Sequence, residues 1–350
     1  MKVSSRFFVL PFLFLSVFAV AANAQWLKQS VNTTASLRGL SVVNEKIVWA
    51  SGTGGTVIRT VDGGKTWNVI TVPGSEKVDF RDIEAFDANT AYALSIGNGE
   101  SSRIYKTIDG GKTWDLQFKN TNEKAFFDAI ACWDRDNCIA MSDPVDGHFP
   151  IISTTDGKNW KPLVSNQMAE AADGEAAFAA SGTCLITQGK NNAFLVSGGS
   201  RARVFRSNDR GLTWTAYDTP IVHGTSGSGI FSIAMFDEKN GVIVGGNYEK
   251  PNETKNNVAL TIDGGLTWKL GTEPPGGYRS SVTFAKRETG EKGSVLVAVG
   301  STGSDVSFDG GAWWHDLDRQ NYNSVATRSK TVWGVGAKGL VAKATFKVSY

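Results

Sequence analysis

The sequence has 350 residues, of which 36 are Lys or Arg and 34 are Asp or Glu, giving a formal net charge of +2. This balance gives no electrostatic case for binding nucleic acid or an anionic membrane surface, since both need an excess or a patch of basic residues. The 39 glycines suit a chain with many tight turns.

Residues 1–24 have the features of a cleaved export signal. Lys2 and Arg6 flank the start of an apolar run, and the small residues Ala22 and Ala24 stand at the end of the segment, before Gln25. The apolar core is short for a membrane span. We therefore expect cleavage after Ala24, a periplasmic or secreted protein without stable membrane insertion, and a single domain over residues 25–350.

A motif of the form S/T-x-D-x-G-x-T-W occurs six times; its third copy is one residue short before the tryptophan, and its sixth has Trp313 in place of the threonine. In each copy the carboxylate can accept hydrogen bonds from its own turn, glycine permits a positive φ, and the earlier hydroxyl can brace the loop. Successive aspartates are 46 to 54 residues apart, a period in the range of four-stranded propeller blades. The six motif aspartates, which we predict to be structural, are Asp62, Asp109, Asp156, Asp209, Asp263 and Asp309.

A short β-rich segment precedes each motif, and a seventh such segment lies at residues 331–335. Residues 25–29 resemble the strands that follow the motifs, and pairing them with the C-terminal unit would close a ring and cover its sheet edges. We therefore predict an all-β fold: a seven-bladed β-propeller of four-stranded blades, closed by the N-terminal strand. The repeated motif, known as the Asp-box, forms a hairpin in the blades. Residues 167–180 alone read as helical, and we expect their later part to be the innermost strand of the fourth blade.

The three cysteines leave two alternatives open. Cys132 and Cys138 flank a polar turn, and they either form a disulfide in an oxidising compartment or remain two buried thiols. Cys184 has no evident partner, and no histidine nearby in sequence would activate it. The motif aspartates are isolated from one another along the chain, so we expect no metal and no cofactor.

The start of each innermost strand faces the mouth of the central channel and supplies the candidate binding residues. Aligning the blades gives a ring of Arg38, Arg81, Asp128, Glu175, Phe231, Arg279 and Tyr322, and it leaves the choice in the fifth and seventh blades open by one residue. Loops on the same face add Glu100, Arg103, Asp143, Asp146, His148, Arg201, Arg203, Tyr248 and Asp305. Either the arginines and acids of the ring only neutralise each other, or the arginines bind a carboxylate or phosphate of a ligand or partner chain.

The sequence resembles the photosystem II stability and assembly factor family in three features: six Asp-boxes, a count of seven blades and an export signal before them. The resemblance covers nearly the whole mature chain and rests on the repeats. It implies a non-enzymatic scaffold that holds a protein client, including a membrane protein, through an arginine-bearing surface. By register that surface would contain Arg38, Arg81 and Arg279. We expect a monomer, because a closed ring needs no partner to cover its edges.

Sialidases also carry Asp-boxes, which gives the alternative of a glycoside hydrolase acting on an acidic sugar in the propeller mouth. That resemblance implies Tyr322, Glu175 and Asp128 as catalytic residues, with the three arginines holding the substrate carboxylate. However, sialidases have six blades and a Phe/Tyr-Arg-Ile-Pro motif before the first box, where this chain reads Ser-Leu-Arg-Gly-Leu. An enzyme would also need the tyrosine and a glutamate within hydrogen-bonding distance in a closed pocket, so we favour the scaffold.

Overall fold

The computed structural model describes residues 25–163, 167–286 and 294–346. It contains seven antiparallel four-stranded blades whose innermost strands contact one another in cyclic order around a central channel. The predicted seven-bladed β-propeller is therefore confirmed. Within these ranges the single helix is the short 3₁₀ turn Gly99–Ser101, and none found there is long and apolar enough to cross a membrane. The predicted export signal lies outside the described residues.

Each blade runs from the channel outward in chain order. Blade 1 contains Leu37–Val42, Val48–Gly52, Thr56–Thr60 and Asn68–Thr71. Blade 2 contains Asp79–Ala85, Ala91–Ile96, Arg103–Thr107 and Asp115–Lys119. Blade 3 contains Phe127–Cys132, Cys138–Ser142, Ile151–Thr154 and Lys161–Pro162. Blade 4 contains Leu185–Gln188, Asn192–Val196, Arg203–Ser207 and Thr215–Asp218.

The remaining blades follow the same order. Blade 5 contains Ser228–Met235, Gly241–Asn247, Val258–Thr261 and Lys269–Leu270. Blade 6 contains Ser281–Lys286, Ser294–Gly300, Gly303–Ser307 and His315–Asp318. Blade 7 contains Ser324–Ala326, Thr331–Val335, Val341–Thr345 and, as its outer strand, Leu27–Lys28. The two-residue strands Glu175–Ala176 and Gly198–Gly199 form a small extension of the blade 5 sheet.

The N-terminal strand closes the ring as predicted. Leu27 pairs with Lys343 and Lys28 pairs with Ala342. The adjacent Trp26 is buried, and its indole Nε1 donates a hydrogen bond of 3.0 Å to Ser304 in blade 6. The two ends of the described chain therefore pair with each other, and Leu27–Lys28 covers part of the outer edge of Val341–Thr345.

The Asp-boxes form the self-contained turns that the motif predicts. In the first box, the Thr60 hydroxyl donates to the carboxylate of Asp62 and accepts from the N–H of Gly64. The same carboxylate accepts from the backbone N–H and the hydroxyl of Thr66. These hydrogen bonds hold the pKa of Asp62 well below its ordinary value. The hydroxyl-to-aspartate bond recurs in all six boxes.

A second backbone contact joins most boxes to the body of their own blade. In the first two boxes the N–H of Gly63 donates to Lys46, and that of Gly110 donates to Asn89, in the turn between the first and second strands. Equivalent bonds occur in blades 3, 4 and 5. The boxes therefore lie with these turns on the face opposite to the loops that join the second and third strands.

The segment 167–180 does not form a helix. Its later part contains only the short strand Glu175–Ala176, and the innermost strand of blade 4 is Leu185–Gln188. The expectation of an inner strand before residue 180 is therefore wrong. The reason is tertiary: the residues between these two strands cross the channel, as described below.

Candidate binding site at the channel mouth

The innermost strands of four blades carry a β-bulge at the same position. The pairing shifts past Arg38 in blade 1, Arg81 in blade 2, Asp128 in blade 3 and Phe231 in blade 5. A bulge leaves one residue out of the ladder and reorients its side chain. Arg38, Arg81 and Phe231 line one cavity at the mouth of the channel. The sequence alignment therefore gave the correct register in these four blades.

In blade 6 the predicted register is wrong by one residue. In blade 7, where the alignment left the choice open by one residue, the equivalent position is the residue after Tyr322. Ser280 and Asn323 take the bulge position in these two blades, since each donates its backbone N–H to the strand residue that pairs with the following position. Arg279 is consequently buried, and its guanidinium pairs with Asp305. Tyr322 packs against Trp26, although part of it still reaches the cavity.

Glu175 is also not equivalent to the other predicted ring residues. It lies ten positions before the innermost strand of blade 4, and its carboxylate binds the guanidinium of Arg203 at 2.9 Å and the hydroxyl of Ser197 at 2.6 Å. Both Arg203 and Glu175 are buried. This ion pair anchors the chain just before it enters the channel.

Residues 177–183, which we call the plug, cross the channel and divide it. The N–H of Ala177 donates to Asp143 of blade 3, and the carbonyls of Ala179 and Ala180 accept from Arg81 and Arg38, each at 3.1 Å. At its other end, Ser181 donates to a carbonyl of blade 6, and Thr183 shares a hydrogen bond with a serine of blade 5. Phe178, Ala179 and Ala180 face the mouth cavity, whereas residues 181–183 line a separate cavity below.

Of the two arginines that bind the plug, Arg81 alone has an ion-pair partner among the described residues. Burial, followed by the neighbouring Asp143 carboxyl, raises the pKa of Asp128 well above its ordinary value, and burial raises that of Asp143 to about 6. Arg81 has an ion pair with Asp79 at 2.9 Å, while Arg38 forms no ion pair among the described residues. Burial and the charge of Arg81 lower the pKa of Arg38, so a further anion would be favourable at this place.

The mouth cavity has a volume of about 460 Å³ and combines these arginines with aromatic rings. Phe178 stacks on Phe231 with a centroid distance of 3.9 Å, and Tyr278 meets the edge of Phe231 at 4.7 Å. Tyr248, predicted as a loop residue of this face, lies edge-on to Phe231 at 6.2 Å. Sequence reasoning missed Phe178 and Tyr278, and only the path of the plug brings Phe178 here.

Several other loop residues that were predicted to face the channel mouth have their contacts outside the mouth cavity. Glu100 pairs with Lys119, Asp146 with Lys124 and Arg201 with Asp218, all at exposed positions. Arg103 donates to the carbonyl of Glu100, and His148 lines a different, largely apolar cavity. None of these side chains lines the mouth cavity.

The constellation implied by the sialidase resemblance is not assembled. The hydroxyl of Tyr322 has Asp318 as its nearest acid at 3.4 Å, while Glu175 is bound to Arg203. Of the three arginines, Arg279 is committed to Asp305 inside the protein. Among the described residues no group of three His, Cys, Asp or Glu side chains could hold a metal ion.

The structure joins Cys132 and Cys138 in a disulfide across the turn between the first two strands of blade 3. Cys184 is buried as a free thiol, and burial raises its pKa well above the ordinary value. It is therefore not a reactive thiolate.

The fold and the mouth cavity define a seven-bladed Asp-box propeller with a cationic, aromatic-lined channel mouth. A family model described as the photosynthesis system II assembly factor YCF48 matches residues 18–166, which is less than half of the chain. This match confirms the resemblance drawn from the repeats. No curated protein matches the chain in sequence.

Solved structures of similar shape include members of that family and an enzyme. YCF48 bound to a D1 peptide shares 18% identity at a TM-score of 0.61 over 92% of this chain and 96% of its own. YCF48 from Cyanidioschyzon merolae shares 16% at 0.61, over 91% and 98%. An inactive virginiamycin B lyase from Staphylococcus aureus with quinupristin shares 10% at 0.65, over 93% and 99%. Such identities show the fold alone, so the function has to be argued from the site.

Proposed function

We propose that this protein is an exported, non-enzymatic scaffold that holds a protein partner by an acidic group at its channel mouth. The observation that carries this proposal is the pair Arg38 and Arg81, which has Asp79 as its one ion-pair partner among the described residues. Each guanidinium is already held by a plug carbonyl, so little side-chain freedom is lost when an anion binds. Preorganised arginine forks are well suited to carboxylates.

A protein partner is favoured over a small substrate by the family resemblance and by Tyr248, an exposed aromatic side chain that lines the mouth cavity. The described residues that line the mouth include no glutamate, so the pair of tyrosine and glutamate that the hydrolase alternative requires is not formed by them. A YCF48 structure contains a bound D1 peptide, and a partner of the same class, including a membrane protein, is our proposal here.

Export is supported by the signal-like residues 1–24 and by the disulfide Cys132–Cys138, because such bonds persist in oxidising compartments. We expect the protein purified from its own host to begin at Gln25 and to fractionate with the periplasm or the medium. Mass spectrometry of the intact protein would measure both the cleavage and the disulfide. A full-length, reduced protein in the cytoplasm would contradict this part of the proposal.

The binding role is tested by affinity capture from the envelope fraction with wild type and with the Arg38→Gln plus Arg81→Gln variant. Arg328→Gln is the matched control, because Arg328 is an exposed arginine at the other end of the channel. We expect specific proteins to be retained by wild type and the control and to be lost from the double variant. Equal capture by all three proteins, or turnover of sialosides that depends on the two arginines, would overturn the proposal.

A further inference from the structure

The mouth cavity has an aromatic wall beside a charged floor. The floor consists of the guanidinium groups of Arg38 and Arg81 and the plug carbonyls that they bind. The wall consists of Phe178, Phe231, Tyr248 and Tyr278, in which one stacked pair is flanked by two edge-on rings. Phe231 and Tyr278 are buried, whereas Tyr248 is 49% exposed and borders the solvent. Apolar rings of this kind gain free energy when a partner's apolar side chain covers them.

The wall and the floor are within reach of a single partner residue. Phe178 directly precedes Ala179 and Ala180, whose carbonyls bind Arg81 and Arg38. Consecutive Cα atoms are about 3.8 Å apart, so the wall begins one residue away from the guanidinium groups. A carboxylate and a side chain borne on the same Cα atom can therefore contact both.

The floor is closed to a chain that would pass through it. The plug separates the mouth cavity from the lower one, and its contacts with blades 3, 5 and 6 fix it in place. A blind cavity of about 460 Å³ admits the end of a chain more readily than its middle. Arg81 has Asp79 as its ion-pair partner, whereas Arg38 has none among the described residues, so a carboxylate is favourable beside Arg38.

Building on the proposed function, we infer that the mouth binds the free C-terminus of the partner and that the aromatic wall receives an apolar side chain of its last residue. The terminal carboxylate lies against Arg38 and Arg81, and Tyr248 closes over the side chain. Capture of a terminal carboxylate is a recurring mode of peptide recognition. Tyr248 is thereby assigned as a residue that determines specificity.

The test uses the mature chain and four fluorescein-labelled hexapeptides with the same Gly/Ser lead. The first ends in Phe with a free carboxylate, the second in Phe amide, the third in Gly with a free carboxylate, and the fourth in Asp-Phe amide. We expect fluorescence polarisation to show the first peptide bound about tenfold or more tightly than each of the others.

The variants separate the two parts of the site. Tyr248→Ala should remove most of the preference for Phe over Gly, while the two peptides with a free carboxylate still bind. Arg38→Gln plus Arg81→Gln should abolish the binding of these two peptides. Phe236→Ala is the matched control, since Phe236 is an exposed aromatic at the far end of the blade 5 inner strand. It should leave all four affinities unchanged.

The outcomes distinguish this inference from the function on which it rests. The C-terminal inference is wrong if the Asp-Phe amide peptide binds as tightly as the Phe peptide with a free carboxylate, or if the Gly and Phe peptides with free carboxylates bind equally. The scaffold role stands in either case, provided that binding still depends on the two arginines. If no peptide shows binding that depends on Arg38 and Arg81, both the inference and the docking of a partner at the mouth fail.

Discussion

On the face that carries the Asp-boxes the same hydrogen bonds recur from blade to blade, whereas at the channel mouth nearly every blade contributes a different side chain. Each box carboxylate is satisfied by its own turn, as Asp62 is by Thr60 and Thr66. At the mouth, Arg38 and Arg81 are held by another blade's segment and retain donors for a ligand. The repeated face builds the ring, and the varied face is where binding specificity can reside.

The largest effect on stability should come from breaking the buried ion pair between Arg279 and Asp305. Arg279→Ala would leave Asp305 buried without its partner, and we expect a loss of about 3–5 kcal/mol in the free energy of unfolding. Urea denaturation measures it. Arg201→Ala is the control, because its pair with Asp218 is exposed and should contribute no more than about 1 kcal/mol. Similar losses in Arg279→Ala and Arg201→Ala would indicate that Arg279 lies in the ring at the channel mouth, as the sequence predicted, and not in a buried ion pair.

Next in size is a change that displaces the plug. Gly182 has a φ of +80°, and an added Cβ would collide with the carboxylate of Asp82, both of whose oxygens are fixed by backbone N–H groups. We expect Gly182→Ala to cost about 1–3 kcal/mol from the left-handed backbone, to lose more from the collision, and to weaken peptide binding at the mouth. Gly189→Ala is the control, since its φ is +59° in open space. Peptide affinity unchanged in Gly182→Ala would mean that the plug does not position the arginines.

A smaller effect is expected on the repeated face. Thr60→Val keeps the shape of a buried side chain but removes the acceptor for Gly64 and the donor to Asp62. Leaving that N–H unsatisfied should cost about 1–3 kcal/mol, with no change in partner capture. Thr71→Val, at an exposed strand position, should be neutral. Loss of partner capture in a stably folded Thr60→Val protein would contradict the division of roles between the two faces.

The smallest effect is a pH dependence at the lower end of the channel. Burial raises the pKa of Glu84 from 4.5 to about 7, although Arg328 partly opposes the shift. Between pH 4.5 and 7 the folded state therefore binds more protons than the unfolded state. The contribution of Glu84 to the free energy of unfolding consequently falls as the pH rises through this range.

Glu84→Gln removes that titration. The difference in Tm between Glu84→Gln and wild type should increase in favour of the variant from pH 4.5 to 7.5 and then stay constant. Glu100→Gln, at an exposed ion pair with Lys119, serves as the control. A constant Tm difference for Glu84→Gln over the whole range would show that Glu84 is not held in a buried environment.

Most of the fold could be predicted because its signals are local and repeated. A box needs only the seven or eight residues of its own turn, and the spacing of the boxes then counts the blades. The closing strand could be recognised since residues 25–29 resemble the strands after the boxes, and its pairing with Val341–Thr345 is present. The register of the ring was correct wherever a bulge preserved the pattern, as at Arg38, Arg81, Asp128 and Phe231.

The candidate site could be predicted only in part. The sequence proposed Arg38, Arg81 and Tyr248 for this face, but it also proposed Arg279 and Glu175, whose charges are neutralised by Asp305 and Arg203. A shift of one residue along a strand turns a side chain to the other face of the sheet. Hydrophobic alternation alone does not reveal where the extra residue of a bulge lies.

The sequence by itself determined the propeller, its seven blades and its closure, because those features depend on hydrogen bonds within a turn and on alternation along a strand. Only the tertiary structure decided what the channel mouth is. The plug has no sequence signature of its own, since the residues up to 180 read as a helix or as an inner strand. It acquires its place from partners that are distant along the chain: Arg38, Arg81, Asp143 and two serines of blades 5 and 6. Contacts between such remote residues exist only after the ring has closed, so no local pattern encodes them.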